Sequence, residues 1–166
     1  DDNDGDLYNW WSALATRDPE DNFPLSDEQD LFALLPAGYG IDNCSRGTKL
    51  DEDTEVASLV CYPDDGADTV FFTSFTDAAA LKERYDSIVS DVGGVSGSGI
   101  ETCPGEDFYT FTSTGAEGGR VLCYLEGSDA RVTWTQNIDL VLAEGIRSDG
   151  DSVALLDWWE DVPIGT

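Results

Sequence analysis

The sequence predicts an α+β domain, a two-layer sandwich in which helices pack on one face of a mostly antiparallel sheet of about five strands. Short segments rich in β-branched and aromatic residues alternate with turn-forming residues and two helical stripes. When the sequence is shifted by 62 positions, Cys61 falls on Cys123 and the patterns around them match without a gap. This match indicates an internal β-β-α duplication with two cysteines in each half.

The duplication suggests how the chain is divided. Residues 1–25 are acidic and interrupted by prolines, which is typical of a linker or of the tail of a preceding module. The duplicated domain is expected over residues 26–160, with unit one at 38–92 and unit two at 100–160. A stretch rich in glycine and serine joins the two units.

The first elements follow from capping and turn residues. A helix is expected from Ser26, whose hydroxyl can cap it while Gln29 completes a capping box, and Pro36 ends it. Two strands follow, Ser58–Tyr62 and Thr69–Phe75, separated by a turn rich in proline, aspartate and glycine.

Helices are expected to close each unit. Thr76 can cap a helix whose apolar stripe consists of Leu81, Tyr85 and Ile88. Unit two contributes three candidate strands, Asp107–Thr112, Arg120–Leu125 and Arg131–Gln136. Asn137 can then cap a helix that carries Leu140, Val141 and Ile146. A last helix begins near Asp151 and carries Val153, Leu155, Leu156, Trp158 and Trp159.

The charge of the chain excludes some partners. There are 35 acidic and 8 basic residues among 166, which gives a formal net charge of −27. Nucleic acid and anionic membrane surfaces are bound through clusters of lysine and arginine, so neither is an expected partner. The acidic composition is compatible with a protein from a high-salt environment and equally with an ordinary secreted protein that its charge keeps soluble, and composition leaves both explanations open.

The four cysteines predict two disulfides and therefore an oxidising compartment. Three connectivities are formally allowed. The repeat favours the pairing of Cys44 with Cys61 and of Cys103 with Cys123, because each unit then closes its own loop. A zinc site is not expected, since the chain has no histidine and no Cys-x-x-Cys pair.

No catalytic residues are expected. Nucleophilic chemistry through a Ser–His or Cys–His pair is excluded by the lack of histidine, and four bridged cysteines leave no thiolate. Three acidic clusters could attract a cation: Asp2 with Asp4 and Asp6, Asp64 with Asp65, and Asp149 with Asp151. None has the spacing of a calcium loop, so we expect no metal site and no cofactor beyond weak binding of a divalent cation.

The aromatic residues near the two ends are candidates for partner binding, namely Tyr8, Trp10, Trp11, Trp158 and Trp159. Adjacent residues on a helix diverge by about 100°, so one ring of each pair should pack and the other should face solvent or a partner. The segment 7–11 matches the segment 155–159 in all but two similar positions. This match is either a coincidence or the closing helix of a preceding copy.

A set of landmarks over residues 31–160 resembles a known family. They are Leu34-Leu35-Pro36, Cys44, Val60-Cys61, Phe75-Thr76-Asp77, Arg84-Tyr85, Cys103, Val121-Leu122-Cys123-Tyr124, Val132-Thr133-Trp134-Thr135 and Trp158-Trp159. The order is similar to that of the extracellular, sensor-type domain of actinobacterial receptor serine/threonine kinases and of related secreted proteins and lipoproteins. The resemblance implies a sensor without catalytic residues and assigns no site. This chain differs from such receptors because it carries neither a kinase region nor a membrane span.

We therefore expect a non-catalytic extracellular binding or sensing module of a bacterial cell-surface or secreted protein. The alternative is a structural building block, tandem or self-assembling, of an extracellular filament or surface layer. Both hypotheses predict an extracellular or cell-envelope location and a protein partner or self-association. No run of 18 apolar residues occurs, so no direct membrane span is expected.

Overall fold

The computed structural model describes residues 22–93, 99–110 and 117–162. Within them, three helices pack against one antiparallel sheet of seven strands, which has the order β1-β2-β3-β7-β6-β5-β4. The elements are α1 (Ser26–Phe32), β1 (Cys44–Arg46), β2 (Glu55–Cys61), β3 (Thr69–Phe75), α2 (Ala78–Asp91), β4 (Gly105–Thr110), β5 (Glu117–Glu126), β6 (Asp129–Gln136), β7 (Val141–Arg147) and α3 (Ser152–Asp161). The α+β class and the antiparallel sheet are confirmed, and the five predicted strands occur as β2 to β6.

Helices cover both faces of this sheet. In β5, Val121 and Cys123 belong to the core cluster beneath α1 and α3, whereas Leu122 and Tyr124 belong to the cluster beneath α2. The expectation of two layers with helices on one face is therefore wrong. A strand whose consecutive residues are all apolar must be covered on both sides, and the run from Val121 to Tyr124 already has that pattern.

The expected number of strands, about five, is also wrong because β1 and β7 are additional. Instead of the helix expected after Asn137, the chain turns and forms β7 between β3 and β6. Leu140 adopts a left-handed backbone with φ of 56°, which does not fit a helix. Gly145 would also weaken a helix interior by about 1 kcal/mol relative to alanine. β1 has three residues, which is too short to show a strand pattern in the sequence.

The sequence repeat does not correspond to a rotational repeat of the fold. Cys61, Val70, Val132 and Cys123 lie in one row across the sheet and on one face, with Gly145 of β7 between the two halves. β3 and β6 run in the same direction, because both are antiparallel to β7. Since β2 and β5 flank them on opposite sides, a half-turn about β7 superimposes the two hairpins only with the matched side chains on opposite faces of the sheet, whereas the structure has them on one face. The expected β-β-α duplication is thus not kept, and unit two has an extra strand before its helix.

Both disulfides fasten an edge of the sheet. The structure pairs Cys44 with Cys61 and Cys103 with Cys123, as predicted, with Cα atoms 4.0 and 5.2 Å apart. The first bond joins β1 to β2, and the second joins the residues before β4 to β5. Each edge strand is therefore tied covalently to its neighbour.

Two predicted helix caps are corrected. The N-cap of α1 is Leu25, whose backbone N–H donates to the Glu28 carboxylate at 2.6 Å, so the capping box uses Glu28 and not Gln29. The N-cap of α2 is Asp77 and not Thr76. Its carboxylate oxygen Oδ1 accepts from two backbone N–H groups of the first turn, each at 2.9 Å, and its negative charge is favoured at the positive end of the helix dipole, whereas a hydroxyl has no charge. The predicted stripe of α2 is confirmed, because Leu81, Tyr85 and Ile88 are buried.

Candidate ligand-binding groove

The α2 face of the sheet is covered unevenly. α2 packs over the middle of the sheet, where its apolar stripe meets side chains of β5 and β7. The part of this face formed by β2 and β3 lies beside the helix and is left open. We call this depression the open groove and define it by Val60, Tyr62, Phe71, Thr73, Arg84 and Ile88. Its volume is about 510 Å³, which is in the range of small-molecule sites.

The floor of the open groove is apolar and accessible. Val60 and Phe71 lie directly opposite each other on β2 and β3. Phe71 is 36% exposed and Tyr62 is 55% exposed, whereas Phe72 on the other face of β3 is 3% exposed. Neighbouring exposed aromatic side chains at the bottom of a depression are typical of a binding surface, because a monomer gains nothing by leaving them in water.

Arg84 forms part of the groove wall on α2. Among the described residues, every other lysine and arginine has a carboxylate within salt-bridge distance, and these are Arg46, Lys49, Lys82, Arg120, Arg131 and Arg147. Arg84 has no such partner in the described part of the chain. In a protein with a net charge of −27, a half-buried arginine without an acidic partner is unusual.

One carboxylate of the open groove, that of Glu144 on β7 opposite Phe71, already has partners. Glu144 accepts from the Arg131 guanidinium and from the Tyr124 hydroxyl, both at 2.9 Å. Burial and the Glu144 charge raise the pKa of Tyr124 above its usual range, so this phenol remains a donor at neutral pH. Arg131 also contacts Glu126 at 2.7 Å, and its charge is therefore matched within the protein.

A second depression, of about 390 Å³, lies on the opposite side of α2. We call it the Arg120 groove; it is lined by Lys82, Tyr85, Phe108 and Arg120. The Arg120 guanidinium lies 4.3 Å from the centre of the Tyr85 ring and pairs with two carboxylates, those of Asp86 and Glu106. Its charges are balanced, so this groove offers an exposed aromatic residue, Phe108, but no free ionic group.

The predicted partner-binding residues are placed in two different ways. Tyr8, Trp10 and Trp11 lie outside the described residues. Trp159 is 7% exposed and packs edge-to-face on the Tyr109 ring at 5.8 Å. Trp158 is partly exposed; it packs edge-to-face on Trp134 at 6.3 Å and lies against two glycines. Both rings of α3 thus pack on the sheet, although only one was expected to.

The partly exposed edge of Trp158 lines a cleft of about 560 Å³ together with Tyr39, Asp64, Asp65 and Asp161. Burial, with the Asp65 charge as a second cause, raises the pKa of Tyr39 to about 12. The cleft is therefore acidic and contains a neutral phenol. None of the buried polar side chains in the described part of the chain lines this cleft.

The acidic turns have structural partners. Asp149 pairs with Arg147, whose hydrogen bonds hold the pKa of this carboxyl at about 2. Asp68 accepts from the hydroxyl and the backbone N–H of Ser148. No three metal-ligating side chains come together within the described residues. Asp2, Asp4 and Asp6 lie outside them.

Sequence reasoning missed the residues of the open groove. A signal was present in β3, where Val70, Phe71 and Phe72 are consecutive, so one aromatic ring has to point away from the main core. Arg84 was noted only as part of a family resemblance. That no described carboxylate lies within salt-bridge distance of Arg84 depends on the packing of α2, which the sequence does not show.

Comparisons with known proteins give little. No protein-family model and no curated protein matches the chain. Among solved structures, a GTP binding regulator from Thermotoga maritima is similar with a TM-score of 0.39 and 13% sequence identity, over 80% of this chain and 83% of that one. A similarity this distant carries no argument about fold or function. In the described part of the chain, no helix has the length and apolar character needed to span a membrane.

Proposed function

We propose that this chain is a non-catalytic binding or sensing module and that the open groove takes its ligand. The observation that carries the proposal is the exposed aromatic floor of the groove beside an arginine without an acidic partner. The groove lining also argues for binding rather than catalysis. Two of its hydroxyl groups, those of Ser58 and Thr73, lie 3.4 Å apart and bond to each other, and the chain has no histidine to activate a hydroxyl.

We also propose that the module works outside the cell or in the cell envelope of a bacterium, as part of a surface or secreted protein. Its two disulfides support this location, because such bonds persist in oxidising compartments and are rare in the cytosol. The large negative charge supports it in a second way, since it keeps a surface protein soluble and away from anionic lipids.

The test is a ligand screen with a matched pair of variants. Wild-type protein is screened by thermal shift against cell-wall fragments, peptides, sugars and small amphiphiles. We expect Phe71→Ser to abolish the shift caused by any ligand of the open groove. Phe108→Ser, which removes an exposed phenylalanine from the Arg120 groove, should leave the shift unchanged. Ligands that bind both variants equally, or a screen without any ligand, would contradict the proposal.

A second candidate function is a structural building block, tandem or self-assembling, in a filament or surface layer. One observation favours it. The segment 155–159, which the segment 7–11 resembles, supplies core residues of the closing helix: Leu155, Leu156 and Trp159 are 0%, 8% and 7% exposed. The same pattern of residues at 7–11 is therefore suited to closing another copy of this sheet.

Deleting residues 1–11 tests this second function. If the segment belongs to a preceding copy, we expect the melting temperature of the remaining domain to stay nearly unchanged and any self-association to be lost. Size-exclusion chromatography and negative-stain images would measure the association. A deletion that unfolds the domain would show that the segment is part of its own core, and the tandem hypothesis would be wrong.

A further inference from the structure

We infer that the ligand of the open groove is a small amphiphile with an apolar body and one anionic group, which Arg84 binds. This inference rests on the proposed function of the groove and adds the chemistry of its ligand. Three features of the groove lead to this inference: its apolar floor, the charges in its lining, and the backbone pairing of the strands beneath it.

The floor fits an apolar body. Val60 and Phe71 form its centre, and Ile88 of α2 forms the apolar part of the wall. A molecule that covers these side chains removes the exposed surface of Phe71 and Tyr62 from water, and the gain is proportional to the apolar area covered.

The charges fit a single anion. The carboxylates that line the groove have donors of their own, because Glu144 accepts from Arg131 and Tyr124, and Glu55 accepts from the Leu50 backbone N–H at 2.7 Å. Arg84 is left with its guanidinium donors uncommitted in the described structure. A guanidinium presents a planar fork of N–H groups that matches a carboxylate, sulfonate or phosphate group.

The strands beneath the groove favour a small molecule over an extended peptide. A peptide that adds to a sheet needs a free strand edge. At the groove floor β2 is paired on both sides, by β1 over residues 59–61 and by β3, and β3 is paired on both sides, by β2 and β7. The floor of the groove therefore offers side chains only. The Arg120 groove does not fit the same ligand, because both of its cations already have carboxylate partners: Lys82 pairs with Asp86, and Arg120 pairs with Asp86 and Glu106.

Two fluorescent probes that differ by one anionic group test the inference. Anilinonaphthalene sulfonate carries a sulfonate, and phenylnaphthylamine has the same aromatic body without it. We expect the wild-type chain to bind the sulfonate more tightly than the neutral probe. Arg84→Gln should weaken the binding of the sulfonate probe about tenfold and leave the affinity of the neutral probe unchanged. Arg84→Lys should restore part of the preference for the sulfonate probe.

Lys82→Gln is the matched control, since it makes the same charge change on the other side of the same helix. It should change the affinity of neither probe. One outcome is that both probes bind the wild type with equal affinity, that Phe71→Ser abolishes their binding and that Arg84→Gln does not change it. The groove is then a binding site, but the inference about the anion is wrong. If neither probe binds wild-type protein, or if binding survives Phe71→Ser, the groove is not an apolar site and the proposed function fails with the inference.

Discussion

Trp158 lies in a slot that two glycines keep open. A Cβ atom added at Gly145 would stand 2.7 Å from Cζ3 of the Trp158 ring, closer than real Cβ contacts. The glycine therefore acts through the space that it leaves on the central strand, and not through backbone freedom. The ring fills this space, which is why Trp158 packs on the sheet although its neighbour Trp159 does so as well.

We expect Gly145→Val to lower the free energy of unfolding by about 1–3 kcal/mol, the usual range for overpacking. Either the indole must move away from Trp134 or the helix α3 must shift. Urea denaturation followed by tryptophan fluorescence would measure the change. Gly40→Ala is the control, because an added Cβ there meets nothing within 4 Å. A stable Gly145→Val variant with an unchanged tryptophan spectrum would show that the slot is not tight.

At the scale of elements, the disulfides decide how the two edge strands are held. β1 has three residues and lies at the edge of the sheet, where the disulfide adds to its short pairing with β2 and to the ion pair between Arg46 and Glu28. We expect removal of the first bond by the double variant Cys44→Ala with Cys61→Ala to lower the free energy of unfolding by about 3 kcal/mol. Denaturation of the oxidised wild type and of the variant gives this difference.

The variant that lacks the Cys103–Cys123 bond is the natural comparison. Its loop is similar in length, with a separation of 20 residues against 17, so its loss should cost nearly the same. Non-reducing peptide mapping checks the connectivity directly. A peptide that links Cys61 to Cys123 would contradict both the pairing and the attachment of the edges.

Comparison of the predicted and observed elements shows which of them local sequence patterns are sufficient to predict. Thr69–Phe75 was predicted with its observed bounds, and the stripe of α2 was predicted residue by residue, because alternation and helical spacing are local signals. β7 was missed, since its apolar residues are equally compatible with a helix and only its position between β3 and β6 makes it a strand. The disulfides followed from symmetry in the sequence. The open groove did not, because it depends on which strands α2 leaves uncovered.

At the scale of the whole molecule, the charge of −27 opposes the compact state. The described ion pairs work against this repulsion, but exposed pairs contribute only about 0–1 kcal/mol each. Salt screens both effects: the Debye length falls from about 10 Å at 0.1 M to about 3 Å at 1 M. The repulsion is the larger of the two, because acidic residues outnumber basic ones by 35 to 8.

We therefore expect the melting temperature to rise by several degrees between low and molar concentrations of sodium chloride, as measured by differential scanning fluorimetry. Potassium chloride is the control. Screening predicts the same rise with both salts, and a difference between them would indicate specific binding of one cation. A melting temperature that falls with salt would show that the ion pairs outweigh the repulsion.

The two edge disulfides also have a mechanical consequence. When a chain is pulled from its ends, the residues enclosed between bridged cysteines cannot lengthen, whatever happens to the sheet. The separations of 17 and 20 residues correspond to roughly 60 to 70 Å each of fully extended chain that stays hidden from the load. An oxidised domain that yields under tension is thus a shorter tether than its reduced form, and the redox state of its surroundings sets how far it can stretch.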